Sequence, residues 1–233
     1  MASVRKQIVA MGGGSFGAEP EGSCLDAYVL ELSGKPRPKI CFLPTASGDA
    51  AMYITKFYEA FGERAQATHL GLFGRPRTDM AAMLTGQDII YVGGGNTANM
   101  LAVWRVHGVD RILREAWARG VILTGVSAGM ICWFEAGVTD SFGPLAALRD
   151  GLHVLPGSAC PHYDGEQDRR PTYHRLVCAG FPPGYAADDG AALHFVDTSL
   201  EVCVASRPTA GVYRVAADGE AITETALPVR LLG

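Results

Sequence analysis

The chain has 233 residues with a formal net charge of −4 and a pI near 5.9, which argues against a basic nucleic-acid surface. Apolar residues make up 48 %, enough for a large buried core, and no apolar run reaches the length of a membrane span. Residues 1–7 lack the apolar centre of a signal peptide. The six cysteines are scattered without a CxxC pair, so neither a disulfide scaffold nor a zinc site is expected. These features predict a reduced, cytoplasmic protein.

The first predicted strand is 5–11 (RKQIVAM), followed by strands at 39–45, 67–73, 88–92 and 120–126. The runs are continuously apolar, as in strands buried on both faces of a parallel sheet. Helical patterns lie between them at 50–62, 97–107 (after an Asn96 cap) and 110–118. This alternation predicts an α/β fold: a doubly wound, mostly parallel sheet with right-handed crossovers. Further on, 191–206 and 211–216 read as strands, and Asp218-Gly219 is a hairpin signal before 220–226. A small antiparallel C-terminal extension of the main sheet is therefore expected. With no repeat and no linker, residues 1–233 read as a single domain.

The clearest chemical signal is Gly125-Val126-Ser127-Ala128-Gly129, placed between an apolar strand and a predicted helix. That is the setting of a nucleophile elbow: the serine is forced to the carboxyl edge of the sheet, and the Ala128 N–H points where an oxyanion would form. A Ser N-cap on an ordinary helix is the bland alternative. A nucleophilic serine needs a base. His162, in Ala159-Cys160-Pro161-His162-Tyr163, ends a strand-like run and precedes a polar loop, whereas His69 and His194 lie in apolar runs. For the orienting acid, Asp140 on a loop is favoured over Glu135 on the helix leaving the elbow. Either carboxylate has solvation as its plain alternative.

Gly93-Gly94-Gly95-Asn96-Thr97 follows another strand and suits a phosphate or an oxyanion. Paired with the elbow, it supplies the second oxyanion donor. The earlier loop Met11-Gly12-Gly13-Gly14-Ser15-Phe16-Gly17 fits GxGxxG in form. No apolar-periodic helix follows at once, and no acid ends a second strand about twenty residues on, so it reads as a tight turn lining the same cleft.

Together GVSAGM, YVGGGNT, the early MGGG, FLPTAS and CPHYDG resemble peptidase E, the S51 serine peptidases, with the cyanophycinases as more distant relatives. The resemblance runs from about residue 6 to about 215. It implies a fold similar to class I glutamine amidotransferases, and hydrolysis of short peptides, in the family's best-known members dipeptides with N-terminal aspartate, without metal or cofactor. It also implies Ser127 as nucleophile, His162 as base, and Gly94, Gly95 and Ala128 at the oxyanion hole. The triad acid is Asp or Glu in the family, so Asp140 and Glu135 both stay open.

The expected partner is a short peptide, contacted by Asn96, Thr97, Arg169 and Arg170; no nucleic acid or membrane partner is expected. An arginine of the Glu166-to-Arg170 loop would select N-terminal Asp by gripping its carboxylate, unless Arg169 and Arg170 simply pair with Glu166 and Asp168. A monomer or a homodimer is expected. The competing readings are an α/β-hydrolase-like esterase and a non-enzymatic nucleotide-binding module built on the two glycine loops.

Overall fold

The computed structural model describes residues 4–18, 23–75, 77–219 and 221–233. The first residues of the chain, most of the segment after the early glycine loop, and residue 220 of the last predicted strand lie outside the described residues.

Five strands form a parallel block that runs to one edge of an eight-stranded sheet: β1 (Gln7–Met11), β2 (Lys39–Leu43), β3 (Gln66–His69), β4 (Ile89–Val92) and β5 (Ile122–Val126). Their spatial order is β1-β5-β4-β2-β3, with all four pairings parallel. Alternate residues serve opposite faces. Ile8 and Ala10 enter one apolar cluster, and Val9 and Met11 enter the other. Helices α1 (Cys24–Leu32) and α2 (Ala51–Phe61) cover one face through Leu25, Val29, Phe57 and Phe61. On the opposite face lie α3 (Met80–Thr85), α4 (Thr97–His107), α5 (Val109–Ala118) and α6 (Ala128–Ile131), through Leu84, Trp104, Leu113 and Met130. The fold is the doubly wound, class I glutamine amidotransferase-like α/β architecture. Each fully buried Phe of α2 contributes about 1.5–3 kcal/mol of hydrophobic stabilisation.

Strands β10 (Ala191–Val196) and β11 (Ser199–Ala205) extend this sheet antiparallel beside β1, and the short β14 (Val229–Leu231) closes its edge. The rest of the last third departs from expectation. The Asp218-Gly219 hairpin forms, but its strands β12 (Val212–Asp218) and β13 (Ala221–Ala226) join a second, six-stranded sheet. That sheet also holds β6 (Phe134–Thr139), β7 (Ala146–Leu148), β8 (Leu155–Cys160) and β9 (Gly184–Ala187), in the order β13-β12-β9-β8-β6-β7. Helix α7 (Arg169–Cys178) packs on it through Tyr173 and Val177. The elbow helix is only one turn long. Glu135 therefore sits in strand β6 rather than on a helix, and Asp140 follows directly at its end.

No helix among the described residues is long and apolar enough to cross a membrane.

Candidate active site

Three adjacent strands deliver their following loops to one crevice: β1 gives Gly12–Gly14, β5 gives Ser127, and β4 gives Gly93–Gly95. Crevices at the carboxyl ends of parallel strands are where open α/β sheets bind ligands.

Ser127 stands between β5 and α6 with φ 57° and ψ −109°, a conformation rare for a residue with a Cβ. The strain is held from several sides. The Ser127 N–H donates to the Met11 carbonyl at 3.1 Å, and the N–H groups of Met130 and Ile131 donate to the Ser127 carbonyl. Both flanking glycines are required by close approach. A Cβ on Gly125 would lie 2.5 Å from the Gly129 carbonyl oxygen, and one on Gly129 would lie 2.4 Å from that of Val92. The GxSxG spacing thus lets the backbone after β5 fold tightly over β4.

His162 follows β8 and also has a positive φ, 53°. Its N–H donates to the Gly12 carbonyl at 3.2 Å. Its Nδ1 lies 2.6 Å from Oδ1 of Asp189, in the loop between β9 and β10. The carboxylate that meets the His162 ring is thus Asp189, and neither Asp140 nor Glu135. Glu135 is turned away, its Oε2 accepting the Gly157 N–H at 3.1 Å, and Asp140 lines the cavity wall with no hydrogen bond to the His162 ring. The hydrogen bond from His162 holds the Asp189 carboxyl below the usual carboxylate range, against the opposing effect of burial, with Arg207 helping. The Asp189 backbone is clamped in turn: Asp164 Oδ1 accepts its N–H at 2.9 Å, and Arg207 Nε donates to its carbonyl at 2.8 Å. Arg207 and Asp164 also pair with each other.

The early glycine loop completes this arrangement. Gly13 bridges to Asp189, and the Gly190 N–H donates to the Gly13 carbonyl at 2.8 Å. A Cβ on Gly13 would fall 1.9 Å from Asp189 Oδ1 and 2.8 Å from His162 Nδ1. The loop is therefore the floor under the His162–Asp189 pair. Among the described residues the next helix is α1, beginning at Cys24, and no helix N-terminus sits at this loop as a dinucleotide fingerprint requires. Asp26 of α1 braces the loop instead, accepting the Phe16 N–H at 2.8 Å and the Tyr91 hydroxyl at 2.9 Å.

Two cavities meet at Ser127 and His162. One, of about 510 Å³, is mainly apolar and is lined by Ala18, Ala50, Met52, Tyr53 and Val126, together with Lys56. The other, of about 320 Å³, is polar and is walled by Gly95, Asn96, Asp140, Ser141, Glu166 and Arg169. Gly94 lines the apolar cavity, its N–H donating to the Tyr53 hydroxyl at 3.3 Å, and Ala128 is buried directly behind Ser127.

Of the expected substrate contacts, Asn96 lines the polar cavity. Its side chain also caps α4, accepting the Asn99 N–H, and donates to the Ser141 carbonyl. Thr97 does not reach either cavity: it is buried and accepts from Thr139. Arg169 lines the polar cavity, but its guanidinium is buried and engaged, with Nε 2.6 Å from Glu166 Oε2 and Nη1 donating to the Val138 carbonyl. Arg170 points away, bonded to Glu224 and stacked on Tyr163 and Tyr213. Neither arginine is a free cation.

A Ser on a strained elbow, a His and an Asp bonded to that His, gathered at the carboxyl edge of a doubly wound sheet, define a hydrolase-type site. The model of peptidase family S51 matches residues 8–203, and the chain belongs to that family. The protein is thus a hydrolase acting on peptides. It is 54 % identical over 230 residues to Uncharacterized peptidase YgaJ of Bacillus subtilis (strain 168), covering 98 % of this chain and 100 % of that one. It is 30 % identical over 150 residues to Uncharacterized peptidase Lin0382 of Listeria innocua, covering 59 % and 68 % respectively. A crystal structure of a peptidase from an acI-B1 Actinobacterium shares the fold, with TM-score 0.66, 16 % identity, and coverage of 96 % of this chain and 95 % of that one.

Proposed function

We propose that the protein is a serine peptidase that removes the N-terminal residue of short peptides, acting as a dipeptidase or aminopeptidase through an acyl-enzyme. The observation that carries this reading is the 2.6 Å contact between His162 and Asp189, in a crevice that also holds Ser127 on its elbow. Ser127 Oγ attacks the first peptide carbonyl while His162 Nε2 takes its proton. His162 then returns the proton to the leaving amine, and water repeats the sequence to free the acyl residue. Asp189, bound to Nδ1, keeps the proton on that nitrogen and stabilises the imidazolium. The Ala128 N–H, with an N–H of the Gly94-Gly95 turn, serves the oxyanion. The order Ser127, His162, Asp189 differs from the Ser, acid, His order of the α/β-hydrolases, which weighs against the esterase reading.

A dipeptide library assayed with the purified chain and with Ser127→Ala tests the reading. Hydrolysis lost in the variant supports it. Hydrolysis that survives within about tenfold removes Ser127 from the chemistry.

A further inference from the structure

The two cavities beside Ser127 differ in charge as well as polarity. Among the described residues around them, most charges are already matched: Arg169 by Glu166, and Asp189 by His162. Two are not. Asp140, exposed on the wall of the polar cavity, has no salt bridge and no side-chain hydrogen bond among the described residues. Lys56, half-buried and lining the apolar cavity, has among the described residues only a carbonyl as partner, that of Gly17 at 3.1 Å, and no carboxylate. The unmatched anion and the unmatched cation thus flank Ser127 from the two cavities, with the apolar wall of Ala18, Ala50, Met52 and Val126 on the Lys56 side.

We propose that the preferred substrate is a neutral dipeptide with an apolar second residue. Its ammonium faces Asp140, its leaving side chain fills the 510 Å³ cavity, and its free carboxylate pairs with Lys56. This rests on the peptidase reading above and adds to it a direction and a selectivity. A dipeptide zwitterion carries opposite charges at its two ends, and a site with the complementary polarity accepts it in one orientation only. A cavity of this size holds one large aliphatic or aromatic side chain with its terminal carboxylate, and burying that side chain favours apolar leaving residues. The same charge pattern disfavours N-terminal aspartate. Its side chain would enter beside Asp140 with no free guanidinium to receive it, because Arg169 is held by Glu166 and Val138.

The test compares Ala-Leu with Ala-Leu amide on the wild-type chain, Lys56→Met and Lys56→Arg, alongside Asp-Leu and Ala-Asp on the wild type. Methionine keeps the apolar stem of Lys56 while removing the charge. Wild type should prefer the free acid over the amide by about tenfold in kcat/KM, largely through KM. Lys56→Met should bring that ratio close to one, and Lys56→Arg should retain most of it. Asp-Leu and Ala-Asp should both be cut less well than Ala-Leu. Equal rates on acid and amide in the wild type, an equal loss on both in Lys56→Met, or a preference for Asp-Leu would overturn the proposal while leaving a Ser127-dependent peptidase intact. Absence of Ser127-dependent cleavage of any dipeptide would overturn both.

Discussion

His162 and Asp189 are bonded through Nδ1 and Oδ1 at 2.6 Å, and both are held from below by the backbone of the first glycine loop, His162 through Gly12 and Asp189 through Gly13. An acid in this place fixes the ring tautomer and stabilises the imidazolium. Asp189→Asn should therefore lower kcat by up to about 10⁴-fold with little change in fold. Glu135→Gln should leave kcat within about threefold, because among the described residues the Glu135 carboxylate bonds only to the Gly157 N–H. Asp140→Asn should act chiefly on KM. Steady-state kinetics of the three variants on one dipeptide checks this, and a ranking with Glu135 or Asp140 dominant in kcat would reinstate the acid expected from sequence.

Gly13→Ala tests the role of the glycine loop. Its Cβ would stand 1.9 Å from Asp189 Oδ1, so the His162–Asp189 pair must move. Overpacking of this kind costs about 1–3 kcal/mol, while a displaced base removes most of the catalysis. Activity should fall by about 100-fold or more, with a cooperative thermal transition retained. A variant with near-normal turnover would show that the loop is not the floor of the site.

The placement of Ser127 on its elbow and of His162 just past a strand was legible in the sequence, because strand-elbow-helix punctuation is local. The parallel strands were legible too, since ICFL, IIYV and ILTGV are buried on both faces and need no alternation. Helix α1 escaped notice although Ser23 and Asp26 form a reciprocal capping box at its start. The second sheet was hidden for a different reason. Phe134–Thr139 follows a one-turn helix so closely that its apolar run reads as that helix continued. Asp189 had no local signal beyond an Asp-Asp-Gly turn between two strands. Its meeting with His162 depends on the bridge to Gly13, far away in the chain, so a search for an acid between Ser127 and His162 could not find it.

His194 predicts the pH dependence of stability. It is buried, with Nδ1 2.7 Å from the Tyr28 hydroxyl and Nε2 3.1 Å from Gln7 Oε1. Burial, aided by Arg5 and Arg230, pushes its pKa down to about 4. An unfolded His titrates near 6.5, so between these values only the unfolded chain takes up this proton. The His194 contribution is complete above about pH 6.5 and is lost as pH falls toward 4. Thermal melts at pH 7, 5.5 and 4.5 should show a falling midpoint. His194→Gln should flatten that slope, though its own midpoint at pH 7 is lower. An unchanged slope in the variant would assign the acid sensitivity to other groups.

The central claim is that Ser127, His162 and Asp189 act as one catalytic unit, and the most direct measurement of it is a set of mutant rates. Initial rates of Ala-Leu hydrolysis are compared for wild type, Ser127→Ala, Asp189→Asn and the double variant. Members of such a unit are strongly non-additive. Ser127→Ala should lose on the order of 10⁶-fold, and adding Asp189→Asn should cost little more. Losses that simply multiply in the double variant, or a Ser127→Ala protein active within about tenfold of wild type, would contradict it.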